Sequence, residues 1–205
     1  MSEGPNSAGS QGGPGVRERI LETASALFYR RGVRAVGVDL VVEEAGVAKT
    51  SLYRHFRTKD NLIAAFLERE DRDFWSQWDR VTQRHQDDPH AELEAHLDWI
   101  GERVGRPGYR GCPQINVAAE FADADHPARE VAAAHKREMR RRLKDLAERL
   151  GVPRPDELAG QLSLVINGAF VSSQILGPGE AVPLLRRMAW ALVEAGRDGS
   201  LVSRD

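Results

Sequence analysis

VDLVVEEAGVAKTSLYRHF, residues 38–56, reads as two short helices joined by a tight turn with Gly46 at the corner. Leu40, Val41 and Ala45 give the first helix an inward face. Gly46 falls where the chain must reverse with a positive φ or with another backbone close by. Leu52 and Phe56, four apart, give the second helix its own inward face. What stays outward on that helix is Lys49, Thr50, Ser51, Tyr53, Arg54 and His55, a cation- and hydroxyl-rich set suited to phosphates and to base edges in a major groove. Thr50 and Ser51 also suit a helix start, and each charge taken singly also suits a solvated face. It is their sharing of one face beside Tyr53 that points to DNA.

Outward from this motif the chain is helical nearly throughout, with no period-2 strand pattern. Residues 16–31 carry Ile20, Ala24, Leu27 and Phe28 on one stripe and end at Gly32. Thr58 can cap a long helix opening at Lys59, and its stripe of Leu62, Ile63, Phe66, Phe74, Trp78 and Val81 runs well past the motif. Asp88 caps the next helix, on which Leu93, Leu97, Ile100 and Val104 align before the loop GRPGYRG. A short helix over 113–122 follows; Pro127 then opens one bearing Val131, His135, Met139, Leu143, Leu146 and Leu150. The last two helices, 155–176 and 180–195, are separated by GPG.

RERILETASALFYRRGVRAVGVDLVVEEAGVAKTSLYRHFRTKDNLIAAFL, residues 17–67, resembles the DNA-binding domain of the TetR family of transcriptional regulators over its whole length and without gaps. ILETASALFYRRG, AGVAKTSLYRHF and TKDNL carry the likeness, in fixed order. The resemblance implies an all-α fold of about nine helices: a three-helix, helix-turn-helix DNA-binding domain, then a helical domain for effector binding and dimerisation. Along this chain the expected divisions are an arm (1–14, disordered), the DNA-binding domain (15–61), the effector and dimerisation domain (62–197) and a tail (198–205). Lys49, Thr50, Ser51 and Tyr53 align with the family's groove-facing positions, and Tyr53, His55 and Lys59 with positions that touch phosphate. Arg54 joins them from its place on the same face. The chain departs from many relatives at Gly37, where a Thr or Ser would cap the first motif helix.

Composition sets outer bounds. The 205 residues are 41% hydrophobic and 29% charged, ordinary for a soluble globular protein, and no run approaches a membrane span. The Gly-, Ser- and Pro-rich start lacks a signal peptide's basic and apolar regions. The one cysteine, Cys112, precludes an intrachain disulfide and fits a cytoplasmic protein. Net charge is only −2, but residues 1–60 hold nine cations against seven acids, so the basic excess lies with the motif. An excess this small implies DNA binding that needs two copies of the domain and is sensitive to salt.

QLSLVINGAFVSSQIL, residues 161–176, is apolar almost all round and threaded with small residues that permit close helix approach. With Leu184, Leu185, Met188, Trp190, Leu192 and Val193 on the final helix, it predicts a four-helix homodimer interface. A two-fold dimer suits a palindromic double-stranded operator. By resemblance, an as yet unidentified small-molecule effector binds inside the helical domain. Candidates to line its site are polar or aromatic residues on apolar faces: Trp75, Trp78, His96, Trp99, Phe121, His135, Asn167, Phe170 and Gln174. Any of these also suits an ordinary core. Residues 110–130, RGCPQINVAAEFADADHPARE, resemble a subgroup with a Gly-Cys helix start, which fixes no ligand class. Cys112 at that start could act as a thiol sensor, though no second cysteine would resolve it.

The histidines lack metal-site spacing, and no phosphate loop or dinucleotide fingerprint is present, so an enzyme is not expected, nor a cofactor or metal. The sequence therefore predicts a homodimeric DNA-binding regulator, a repressor released by an effector. The alternative is a dimeric helical ligand-binding or interaction module without specific DNA function.

Overall fold

The computed structural model describes residues 15–123 and 125–198. The expected arm, residues 1–14, and all of the expected tail but Asp198 lie outside the described residues. Among the described residues there are nine α-helices and no strand: α1 (Val16–Arg31), α2 (Val38–Ala45), α3 (Lys49–His55), α4 (Lys59–Arg84), α5 (Pro89–Val104), α6 (Pro113–Glu120), α7 (Pro127–Arg149), α8 (Pro155–Leu176) and α9 (Pro178–Arg197). None of them is long and apolar enough to cross a membrane.

Two apolar clusters organise the chain. The first joins Ile20, Ala24, Leu27 and Phe28 of α1 to Val41 of α2, Leu52 of α3, and Leu62, Ile63, Phe66 and Leu67 of α4. It also takes in Val117 of α6 and Ala128 of α7, so the helix-turn-helix is packed against elements far along the chain. The second cluster lies between α4, α5, α7, α8 and α9, around Phe74, Trp78, Leu97, Ile100, Leu143, Leu162 and Phe170. Helix α4 enters both. Its start is fixed by Thr58, whose hydroxyl accepts the Asn61 N–H at 3.1 Å, as its place before the long helix predicts.

The motif turn has the geometry its glycine implies: Gly46 lies in the left-handed region (φ 62°, ψ 43°), and its N–H closes on the end of α2. Gly37 is extended and gives α2 no side-chain cap. Three helix ends differ from their sequence expectation. Helix α6 stops at Glu120, two residues short of 122, because Phe121 turns extended to stack on His126 (centroids 3.7 Å apart) while its carbonyl accepts a hydrogen bond from Arg129. Helix α9 opens at Pro178, where a proline needs no N–H partner, and runs on to Arg197, whose guanidinium ties back to Leu150 O.

Candidate functional site

Helix α3 presents the face expected of it. Leu52 is fully buried and Phe56 nearly so, while Lys49, Thr50, Tyr53, Arg54 and His55 are exposed and Ser51 is half-buried. Tyr53 stands 43% exposed on a helix whose apolar contacts are made by its neighbours, so its ring and hydroxyl are open to a partner. Lys59, at the start of α4, is half-buried, and burial lowers its pKa. Lys49 Nζ lies 2.6 Å from Asp39 Oδ1 on α2, a pair exposed on both sides. That carboxylate raises the Lys49 pKa and keeps the ammonium charged. An exposed pair of this kind is worth little and exchanges readily for a phosphate oxygen.

The placement of α3 depends on contacts outside the motif. The Glu120 carboxylate, just at the end of α6, accepts the backbone N–H of Val33 at 3.1 Å and of Arg34 at 2.8 Å. Its own carbonyl accepts from Arg34 Nη1. Both amides lie in the turn between α1 and α2, next to Gly32, which holds a positive φ of 85°. Beside this, the Tyr29 hydroxyl donates to Gly111 O at 3.1 Å and accepts the Arg110 N–H at 2.9 Å. Helix α6 and the loop before it therefore grip α1 and the approach to α2. None of this was visible from periodicity, because neither Glu120 nor Tyr29 belongs to an apolar stripe.

In the helical body, six of the nine residues expected to line an effector site gather around Phe74. Trp75, Trp99 and His135 lie with ring centroids 4.9 Å from it and Phe170 at 6.3 Å; Trp78 stands at 6.2 Å and stacks on His96 at 3.9 Å. The other three have other partners. Asn167 Oδ1 accepts from Lys136 Nζ at 2.7 Å, and that ammonium also lies 3.5 Å from Cys112 Sγ. Phe121 stacks on His126, and Gln174 lines a separate small cavity beside Tyr29, Asn116 and Glu120.

Two hollows meet below these rings. A groove of about 440 Å³ opens between α4 and the loop after α5, lined by Glu70, Asp73, Arg80, Arg103, Arg106 and Tyr109 among others. Behind it a void of about 10 Å³ touches Phe74, Cys112, Gln114, His135 and Phe170. Glu70 and Arg103 line both, and their side chains pair at 3.5 Å, with the Arg103 guanidinium 5.6 Å over the Phe74 ring. Burial raises the Glu70 pKa against the pull of Arg103. Sequence reasoning passed over Glu70, yet it interrupts the four-residue spacing of Phe66, Phe74 and Trp78 along α4, and a carboxylate on an apolar stripe is the signal that marks it. Gln114 and Arg103 carried no such signal.

His135 Nδ1 lies 2.6 Å from Asp71 Oδ1. A carboxylate can only accept, so Nδ1 carries its proton toward Asp71, and burial, with Lys136 adjacent, lowers the His135 pKa and disfavours a second proton on Nε2.

A compact helix-turn-helix with an exposed, polar second helix, carried on a long helix that continues into an all-helical body, is the architecture of a DNA-binding regulator. The family described as "Bacterial regulatory proteins, tetR family" matches residues 20–66. The fold superposes on SCO4454, a TetR-family transcriptional regulator from Streptomyces coelicolor, with a TM-score of 0.85 at 27% identity, covering 89% of this chain and 96% of that one. A TetR-type regulator from Streptomyces avermitilis, sav143, is 34% identical with a TM-score of 0.73 over 87% of this chain and 98% of its own. The transcriptional repressor SCO4008 from Streptomyces coelicolor is 28% identical across 194 residues, 89% of this chain and 88% of the relative. Similarity to the Staphylococcus aureus regulator SAB2452, 32% over 87 residues, spans 45% of that protein's length. The chain belongs to the TetR family of transcriptional regulators, not to a family of enzymes.

Proposed function

We propose that the chain is a homodimeric transcriptional repressor that holds a palindromic operator through α3 of each protomer and is released by a small-molecule effector bound in the helical body. The observation that carries the reading is the outward set Lys49, Thr50, Tyr53, Arg54 and His55 on a helix whose Leu52 is fully buried. Ser51 and Lys59 complete the contact set, the former toward the groove and the latter toward phosphate. Residues 15–61 form the DNA-binding domain and 62–197 the effector and dimerisation domain, acting on DNA in the cytoplasm.

Dimerisation is supported by apolar surface on the last two helices. Leu164 is 75% and Ile175 84% exposed, and Val171, Leu176 and Met188 are each exposed by more than two fifths. A shallow apolar depression of about 360 Å³ lies among them, floored by Gly168, Ala169 and Ser172. So large an unpartnered apolar face on one side of a globular chain fits a second copy related by a two-fold axis. Repression is supported by the relative SCO4008, named as a repressor and similar along most of both chains. Footprinting over the DNA upstream of the chain's own gene tests the whole reading. The expected outcome is two protected half-sites with two-fold symmetry, about one helical turn or a multiple apart. Protection of a single, asymmetric site, or of none, contradicts it.

A further inference from the structure

The paired hollows beneath the aromatic cluster differ in what they ask of a ligand. Deep inside, Gln114 Oε1 and His135 Nε2 are buried and without hydrogen-bond partners among the described residues. Both line the inner void. Gln114 spends its amide N–H on Leu67 O at 3.1 Å, and His135 spends its Nδ1–H on Asp71, so each turns an acceptor inward. Two unmatched acceptors on residues lining one void call for a donor, and leaving them unmatched is costly in so dry a place. Phe74 and Phe170 line the same void.

The outer groove asks for the reverse. Glu70 and Arg103 are paired with each other at its inner end, which leaves Arg80 and Arg106 against the single acid Asp73. An excess of guanidinium at the mouth of a groove favours a carboxylate, which it can hold in bidentate fashion. The groove volume, about 440 Å³, is that of a drug-sized ligand.

We propose that the effector is an aromatic carboxylic acid bearing a hydroxyl or amine at its far end, with that donor between Gln114 Oε1 and His135 Nε2, its ring against Phe74 and Phe170, and its carboxylate on Arg80 and Arg106. The proposal rests on the reading of the chain as an effector-released repressor. It also supplies the release. To reach the inner acceptors the ligand must part Glu70 on α4 from Arg103 on α5, and α4 is the helix that continues from the DNA-binding cluster through Leu62, Ile63 and Phe66. Gln114 ties α6 to α4 through Leu67 O, so the same entry also loads α6, whose end carries Glu120. The ligand thus binds the parted arrangement better than the closed one, and coupling to DNA is that difference.

The test uses three probes on the full-length protein: 3-(4-hydroxyphenyl)propanoate, 3-phenylpropanoate, which lacks the hydroxyl, and 4-hydroxyphenethylamine, which replaces the carboxylate by a cation. Binding is read by quenching of the intrinsic tryptophan fluorescence, and operator release is read separately by fluorescence anisotropy of labelled DNA. The hydroxy acid is expected to bind at least tenfold more tightly than either analogue. Arg106→Ala, at an exposed position, is expected to weaken it about tenfold while leaving DNA affinity without probe unchanged. Gln114→Met is expected to remove the preference for the hydroxyl, and circular dichroism checks that this core variant still folds. Equal affinity for the three probes, or no loss in Arg106→Ala, overturns the ligand class. If the hydroxy acid fails to bind but another compound from a general metabolite set releases operator, the ligand class is wrong and the repressor reading stands. If no compound in the set releases operator, effector control itself fails.

Discussion

Replacing Glu120 by alanine isolates the link between the helical body and the reading head. The carboxylate accepts two backbone N–H groups of the turn between α1 and α2, from Val33 at 3.1 Å and Arg34 at 2.8 Å. A hydrogen bond to a charged group contributes about 1.5–3 kcal/mol when desolvated. Arg34 is exposed and Glu120 half-buried, so solvent halves this at least. Together the two bonds then contribute about 1–2 kcal/mol, which in a chain of this length corresponds to a fall of about 2–8 °C in Tm. The more specific readout is local. Hydrogen exchange of the Val33 and Arg34 amides should accelerate by roughly the same free energy, about five- to thirtyfold, while amides in the core of α8 keep their protection. Glu120→Gln keeps one acceptor and turns an N–H toward a donor, so it should fall between. If Glu120→Ala leaves Tm and the exchange of residues 33 and 34 unchanged, the carboxylate does not anchor the turn, and the route proposed from α6 to the motif is wrong.

Other consequences are simpler. Tyr53→Ala and Lys49→Ala should each weaken operator binding without dissociating the dimer in sedimentation. Lys49→Ala should also reduce the slope of log affinity against log salt by about one per half-site. Dissociation of the dimer in either variant would refute the separation of reading and assembly surfaces. Leu164→Glu with Ile175→Glu should give a monomer that keeps its own thermal stability, because both side chains are largely exposed in the single chain. Each would otherwise contribute about 1.5–2 kcal/mol per copy on burial. Acid stability depends on Glu92, which is 2% exposed. Burial would raise its pKa, but the His96 ring nitrogen 3.6 Å away and hydrogen bonds from Arg149 and Thr82 outweigh it and hold it down to about 2. The folded pKa is the depressed one, so this stabilisation is full above the usual carboxylate pKa near 4.5 and is lost as pH falls from there toward 2. The difference in unfolding free energy between wild type and Glu92→Gln should therefore be about 1–3 kcal/mol at pH 7 and shrink steadily below pH 4.5. A difference that stays constant down to pH 2 would contradict the sign.

Local rules make much of this fold legible in the sequence. The motif announced itself through Gly46 and the spacing of Leu52 and Phe56, the start of α4 through Thr58, and α7 through Pro127 and its aligned apolar residues. Apolar stripes pick out Trp75, Trp78, His96, Trp99, His135 and Phe170 one helix at a time, but not that they meet around Phe74, nor that Phe121, Asn167 and Gln174 have other partners. What escaped were partnerships between distant parts of the chain: Glu120 with the turn after α1, Tyr29 with the loop before α6, and Glu70 with Arg103. Charged and hydroxyl side chains have the same local appearance whether they face water or a backbone eighty residues away. Periodicity records burial, and these groups are only partly buried.

Affinity for the DNA upstream of the chain's own gene, measured against random competitor DNA at two salt concentrations, decides whether the exposed face of α3 reads an operator. Retardation should be at least a thousandfold stronger than on random DNA, in line with specific recognition generally. It should fall with rising salt and lose its specific component in Tyr53→Ala. Wild-type binding that is no tighter to any fragment selected from the genome than to random DNA would contradict it, and would leave a dimeric helical module with no operator to read.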